Sequence, residues 1–481
     1  MLTIKIGSSS STLSKLQAIT VGESLKNKFQ DIKIQYFLEH DPLEIGSKFL
    51  DLFVYNTSEF EIGEVFNSSI FSVLPRTEQR EIILFKKNIS HSNENQIKII
   101  CQKTIHTENT LNFLKNYLPI SIQKKQFILH PSEEETLLLL KKFLTPEIDG
   151  IVLPKVHLDR LFSTKLYPDQ TEEFKSSRDL ARRVWSESLF MIPPLSLCPN
   201  FPAEGITFVK LISESETIRN CIYSLIDKEA DYQAKLEYKF ADEMNKREDK
   251  PRKSILSRPY GMVEILRNEN DSTCSLADSC LDTFHVSEIW PPNAKMAPRQ
   301  RERLEYKIPT DSDLYVSRGY AYPLDLVSDP GKQVIWTAGL STWTDLAHRN
   351  LWVHGTNDGL GESEPMRLSL LLGRKLNFIK LSHFDSDTSF NPFPLISTYR
   401  LSSPEIPSDF DPQKIKAAYW RSGSEFERVT KRFPVLKEVI HFASPGSTYT
   451  KIQKELGHKP NFRLHITLSF EDWRKQNILF D

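Results

Sequence analysis

One local unit constrains this chain more than any other. It is an apolar run, then a turn of small residues, then a stretch with helical spacing. Gln333 to Glu362 is the fullest case. Val334-Ile335-Trp336 is apolar, Thr337-Ala338-Gly339-Leu340-Ser341-Thr342 turns, and Trp343, Leu346 and Ala347 keep helical spacing. A second apolar run, Leu351-Trp352-Val353, ends in His354-Gly355. The pattern predicts strand, turn, helix, strand. The unit recurs where Ile415–Trp420 turns at Arg421-Ser422-Gly423-Ser424 into a helix Glu425–Phe433. It recurs again where Val439–Ala443 turns at Ser444-Pro445-Gly446-Ser447-Thr448 into a helix Tyr449–Leu456, with Gly457 as its expected stop. Such a turn leaves free backbone N–H groups at a helix N-terminus, which favour anions, and nearby hydroxyls add to them. An ordinary N-cap uses the same residue types, so one turn decides little. Several turns set in two small α/β lobes could together hold a polyanion.

A chain of 481 residues has room for about two to four domains and a large core. Its 62 basic and 63 acidic residues leave a net charge of −1, which gives no support for a nucleic-acid or membrane-surface partner. Cys101, Cys198, Cys221, Cys274 and Cys280 show no metal-ligand spacing, so no metal is expected and a reduced, cytoplasmic protein fits. The start, MLTIKIGSSS, lacks the apolar core of a signal peptide, and no apolar run is long enough to span a membrane.

The first half opens with the alternating strand Leu2–Ile6, the serine-rich turn Gly7–Ser11 and a helix over Leu13–Phe29. Strands follow at Ile32–Phe37 and Leu50–Tyr55. This order predicts an open α/β sheet with its loops at strand C-termini. The serine run is read as a polar cap that could also hold an anion. Ile97–Cys101, a helix started by Pro131-Ser132-Glu133-Glu134-Glu135, the strand Ile148–Pro154 and a helix over Val156–Phe162 predict a second lobe. Lys235–Lys253 reads as a solvated, charged helix and loop.

At this point the first half resembles hydroxymethylbilane synthase (porphobilinogen deaminase). Ile6-Gly7-Ser8 with Leu13 and Gln17-Ala18 resembles that family's opening motif. Asp51–Glu59, Leu74-Pro75-Arg76 with Arg80-Glu81, IDGIVLPKVHLDRLF, Pro193-Pro194 with Pro202–Gly205, and Pro259-Tyr260-Gly261 resemble later motifs in the same order. The resemblance implies a two-lobed, periplasmic-binding-protein-like deaminase fold with a small α+β third domain. Lobe one would cover 1–90, completed by 190–225; lobe two 91–189; the third domain 226–295. It also implies that the site is degenerate. Leu256 falls where the family carries the Cys that holds its dipyrromethane cofactor, with Ser254 and Ile255 for glycines. Ser9 replaces a substrate-binding Arg, Glu59 the catalytic Asp and Ser58 its neighbouring Lys. Lys124-Lys125 is the nearest basic pair to the arginines of lobe two. No cofactor is therefore expected, since a thioether cannot form on leucine.

The region 310–481 resembles uroporphyrinogen-III synthase, which implies a two-lobed α/β region. TAGLSTWTDLAHRNLWVHG, ISTYRLS, AAYWRSGSEFERV and HFASPGSTYTKIQKELG carry the likeness in order. It places Gly339, Ser341, Thr342, Ser422, Gly423, Ser447 and Thr448 at substrate contacts and Tyr399 at the cleft. YVSRG is followed too soon by VIWTAG, so much of a first lobe is missing from this region. The family closes linear hydroxymethylbilane to uroporphyrinogen III with loss of water and inversion of the last pyrrole. That substrate, with its many carboxylates, needs N–H and O–H donors and one weak acid near the departing hydroxyl. Tyr399 is the candidate acid, although its place also suits a half-buried strand tyrosine. His383 and His441, at or near strand ends, could assist or simply cap. The leading expectation is bilane cyclisation by the second half, with an inactive deaminase-like first half and hydroxymethylbilane supplied by a separate deaminase. A bifunctional enzyme acting on porphobilinogen and a non-catalytic bilane-binding scaffold are the alternatives.

Overall fold

In the computed structural model the described residues are 1–38, 49–57, 66, 69–90, 95–103, 105–163, 172–244, 251–268, 272–276, 282–292, 300–386, 393–402, 406, 410–460 and 462–479. Ser58, Glu59 and Cys280 lie outside them. The architecture is mixed α/β.

The N-terminal half has two lobes. In the first, Ile32–Phe37, Leu2–Ser8 and Leu52–Tyr55 run parallel, and Thr207–Leu211 inserts antiparallel between Leu52–Tyr55 and Ile70–Val73. In the second, Gln126–Ser132, Gln96–Gln102 and Gly150–Pro154 run parallel, with Glu81–Lys86 and Ser188–Met191 completing the sheet. The chain therefore crosses between lobes at 74–80 and again at 192–206. Glu81–Lys86 belongs to the second lobe, not the first, so the expected boundary at residue 90 moves to the crossover. Leu74 marks that crossover with a positive φ of 65°.

A three-stranded meander, Arg252–Arg258, Gly261–Arg267 and Ser272–Leu276, packs beside the helix Lys228–Met244. This helix is not wholly solvated as its charge suggests. Glu237 is 1% exposed and its carboxylate accepts from Arg76 (2.8 and 2.9 Å), Ala203 N (2.8 Å), Ile255 N (2.8 Å) and Asn200 Nδ2 (3.1 Å). Buried charge on this scale survives only with such complete pairing.

The C-terminal half also has two lobes, and one is nested within the other. Leu395–Leu401, Phe378–His383, Asp313–Val316, Ile335–Thr337 and Gly355–Thr356 form a parallel sheet, edged by the antiparallel Arg301–Arg303. Ile289–Trp290, Ala417–Trp420, Ile440–Ala443 and Leu464–Ile466 form a second parallel sheet. Phe284–His285 pairs with Ile478–Leu479 beside it. The sheet of 417–466 is extended by 284–290, which the sequence places in the third domain; the short connection between Asp313–Val316 and Ile335–Thr337 remains, and those two strands pair directly. A two-residue strand before Pro291-Pro292 carries no readable period. Trp290 is fully buried against Trp420 and Phe410.

Leu351–Val353 forms no strand; only Gly355–Thr356 joins the sheet. Trp352 instead reaches into the N-terminal half, donating to Phe190 O at 2.9 Å and packing edge-on to Phe85. Trp343 does the same, donating to Tyr117 O at 2.8 Å among Phe113 and Tyr117. Ile192 N donates to His354 O at 2.8 Å. The two halves thus share apolar clusters. No helix among the described residues is long and apolar enough to cross a membrane.

Candidate functional site

In open α/β sheets ligands sit outside the carboxyl ends of the strands. In the C-terminal half those ends carry the recurring turns. Gly339 is the N-cap of the helix Leu340–His348, Ser422 of Gly423–Arg432, and Gly446 of Ser447–Leu456. Glycines bring the two lobes together there. Gly361, at φ 100°, leaves little room for a Cβ, which would lie 3.0 Å from Pro445 O. Gly339 packs near Gly359 N, and Gly359 near Leu468 O. The loop 357–362 therefore lies between the Gly339 turn and the 445–447 turn.

The expected donors divide once their side chains are placed. Ser341 is exposed and Ser447 and Thr448 are half-buried at a helix start. Thr342 is 3% exposed, and its hydroxyl donates to Ser317 O at 3.3 Å, so it ties helix to strand rather than facing a ligand. The Ser422 hydroxyl accepts from Glu425 N at 3.1 Å as an ordinary cap. Gly423 is buried, and a Cβ there would meet Lys451. The helix Ser447–Leu456 stops at Gly457 as expected, with that glycine in a right-handed conformation.

Tyr399 ends up at the carboxyl edge of its sheet but 3% exposed. Tyr320 packs edge-on against it with ring centroids 5.1 Å apart, and the Arg303 guanidinium lies 3.9 Å from the Tyr320 centroid. His383 neighbours it in the adjacent strand, with ring centroids 6.1 Å apart. His441 is a core histidine. It is fully buried, accepts from Trp420 Nε1 at 2.9 Å, and burial pushes its pKa down to about 4.

The sequence reading missed four side chains at the same edge. Tyr419 Oη and Ser444 Oγ are 2.7 Å apart at the ends of neighbouring strands. Arg421 follows Tyr419 and lies 4.5 Å over the Phe470 ring. Arg318 follows Asp313–Val316 in the facing lobe and is exposed. Burial raises the Tyr419 phenol, while its bond to Ser444 and the charges of Arg421 and Arg318 pull it down. The signal was present: arginine stands beside Ser or Gly at the end of a strand in both SRG and RSG.

In the N-terminal half a cavity of about 220 Å³ lies between the lobes, lined by Ser11, Thr12, Asn56, Lys103, Glu133, Glu134, Glu135 and His157. Ser9 is not among its lining residues, and Ser11 caps the first helix by accepting from Ser14 N at 3.2 Å. The wall is acidic where a polycarboxylate would need cations. Lys124-Lys125 cannot supply them, because the pair precedes the strand Gln126–Ser132 while the cavity lies past its far end, and Lys125 donates to Ile89 O at 3.3 Å. Leu256 is 4% exposed and packs with Leu195, Val263, Ile265, Leu360 and Leu468. It lines a second cavity of about 230 Å³ between the two halves, together with Gln79, Arg258, Asp358 and Arg367.

No family model matches the chain, and no curated protein matches it. Solved structures give distant likenesses. The AmpR effector binding domain from Citrobacter freundii is 10% identical, with a TM-score of 0.26 over 47% of this chain and 96% of that one. HinK, a LysR family transcriptional regulator from Pseudomonas aeruginosa, is 11% identical, with a TM-score of 0.27 over 48% of this chain and 69% of that one. The ligand binding component of an ABC-type import system from Staphylococcus aureus is 14% identical, with a TM-score of 0.26 over 50% of this chain and 76% of that one. The two-lobed description of the N-terminal half rests on its own strand order, not on these scores.

Proposed function

We propose that the C-terminal half cyclises hydroxymethylbilane to uroporphyrinogen III, on an N-terminal half that keeps a deaminase-like fold without deaminase chemistry. The observation that carries the reading is the completed second lobe. There Phe284–Trp290 joins the strands of the synthase-like region, pairing with Ile478–Leu479 and Ala417–Trp420, and gives that lobe a four-stranded parallel sheet, which supports the reading. Two parallel sheets then present their carboxyl edges to each other, which suits a large, flexible polyanion.

In this reading the exposed turn N–H groups and the Ser341, Ser447 and Thr448 hydroxyls hold carboxylates. Tyr399 gives its proton to the departing hydroxyl, which leaves as water, and the proton lost from the pyrrole as the ring closes restores the phenol. The Tyr320 ring that covers Tyr399 must swing aside for substrate to reach it. The bifunctional alternative is disfavoured by Leu256, a buried aliphatic side chain where a thioether would have to form, and by the acidic cleft between the first two lobes.

The test supplies freshly made hydroxymethylbilane and resolves the type I and type III isomers. Type III is expected, with a slower rate in Tyr399→Phe; spontaneous type I alone would sink the reading. Intact-mass measurement after incubation with porphobilinogen should show no added dipyrromethane.

A further inference from the structure

We propose that Arg318 and Arg421, one from each lobe of the C-terminal half, form a carboxylate clamp beside the Tyr419–Ser444 hydroxyl pair, and so set both substrate affinity and the closing of the lobes on it. The proposal rests on the bilane reading for its substrate, but the clamp itself follows from the arrangement of charges. Arg318 follows the strand Asp313–Val316 and Arg421 the strand Ala417–Trp420. The loop 357–362 bridges the two ends, with Gly359 near Leu468 O and Gly361 near Pro445 O. Ser317 O accepts from Thr342 at the start of the helix that the Gly339 turn opens, and that turn packs on Gly359. Gly361, in the same loop, packs on Pro445, next to Ser444.

Among the described residues neither guanidinium has a carboxylate partner. Arg421 has only the Phe470 ring at 4.5 Å, and Arg318 is exposed without an ion pair. The nearby acid is Asp472, whose effect on the Tyr419 phenol opposes that of the two arginines. The Asp472 backbone and side chain are engaged by Ser469 at the helix start. Two cations brought toward one spot repel each other, and the repulsion ends when an anion bridges them. The bridging oxygens also accept from Tyr419 or Ser444, whose mutual hydrogen bond leaves one hydroxyl proton free to donate outward. Guanidinium forks match carboxylates bidentately, which favours a ligand with two or more carboxylates over a single charge.

The experiment measures Arg318→Gln, Arg421→Gln and the charge-keeping Arg318→Lys and Arg421→Lys variants in two assays. One is the KM and kcat for type III formation from hydroxymethylbilane. The other is binding of benzenehexacarboxylate, a non-reacting polycarboxylate, across a salt series. Each Gln variant should raise KM and weaken probe binding by about 10- to 100-fold with kcat little changed, and lysine should restore part of the loss. The wild-type salt slope should be steeper than that of either Gln variant. Type III formation with unchanged KM and probe binding in the Gln variants overturns the clamp and leaves the cyclase reading intact. Arginine-dependent probe binding without type III product overturns the cyclase reading and leaves the clamp. Loss of kcat with unchanged KM assigns the arginines a merely structural role and also overturns the clamp.

Discussion

Asp358 offers the sharpest test of how the two halves are joined. It lies in the C-terminal half at a left-handed φ of 56°. Its carboxylate accepts from Ser196 Oγ at 2.7 Å and Ser196 N at 3.2 Å, in the N-terminal half. Desolvation pushes its pKa up to about 6, the Ser196 hydrogen bonds hold it down, and Glu364 adds to the rise while Arg80 opposes it. Set against the ordinary value of 3.8, the folded state binds this proton more tightly than the unfolded chain. The stabilising contribution is therefore fully present below about pH 4 and is lost as pH rises through about 6. A shift of roughly two units corresponds to about 3 kcal/mol between those limits. Asp358→Asn removes the buried charge and keeps the shape, and Asn tolerates the left-handed backbone. The amide cannot accept at both positions, so about 1 kcal/mol of hydrogen bonding is given up. The net expectation is a gain of about 1–2 kcal/mol at pH 7.5 and none at pH 4.5. Urea midpoints at pH 4.5, 6 and 7.5 would read it. A variant less stable than the parent at pH 7.5, with the same pH profile, would refute the reasoning.

Other outcomes follow from the same structure. Glu237→Gln leaves Arg76 buried without its counter-charge and should cost about 3–5 kcal/mol, seen as a lowered urea midpoint; a change below 1 kcal/mol would mean the pair is dispensable. His354 is fully buried and neutral, held by Ile335 N and Pro330 O at 3.0 Å each, with burial pushing its pKa down to about 4. Its sign is opposite to that of Asp358: the stability it permits is present above about pH 6.5 and lost as pH falls toward 4. NMR of its ring protons should show no titration between pH 7 and 5. Leu256→Cys should take up no mass from porphobilinogen, because the thiol would stay packed against Leu195, Val263 and Leu360; a dipyrromethane increment would contradict that.

Much of the architecture was readable from local pattern. The strand-turn-helix units at Ile335–His348, Ala417–Arg432 and Ile440–Leu456 match within a few residues, because apolar runs and small-residue turns are local signals. The first two lobes were visible for the same reason. What escaped depended on partners far along the chain. Ile289–Trp290 is a strand only because Ala417–Trp420 lies beside it. Tyr399 falls on the strand that the sequence predicts, but nothing local says that Tyr320 packs against it. Thr342 has the composition of an anion contact, yet its hydroxyl is taken by Ser317 from a neighbouring strand. Arg318 and Arg421 acquire meaning only when two lobes face each other. The tryptophans at 343 and 352 looked like the core of their own unit and instead join the halves.

The nesting of one C-terminal lobe inside the other also orders events during synthesis. Ile289–Trp290 emerges from the ribosome before the whole 300–402 lobe, and its partner strand Ala417–Trp420 emerges after it. The inserted lobe has its sheet strands in one continuous stretch and can fold as soon as it is made. The outer lobe must hold Trp290 unpaired through that interval, then close over a long chain separation, which is the slow kind of contact to form. A chain ended at residue 405 and released should therefore show a folded inner lobe and an indole at 290 open to solvent. Emergence of Ala417–Trp420 and the strands that follow is what buries it, so this lobe closes only after the inner one is complete.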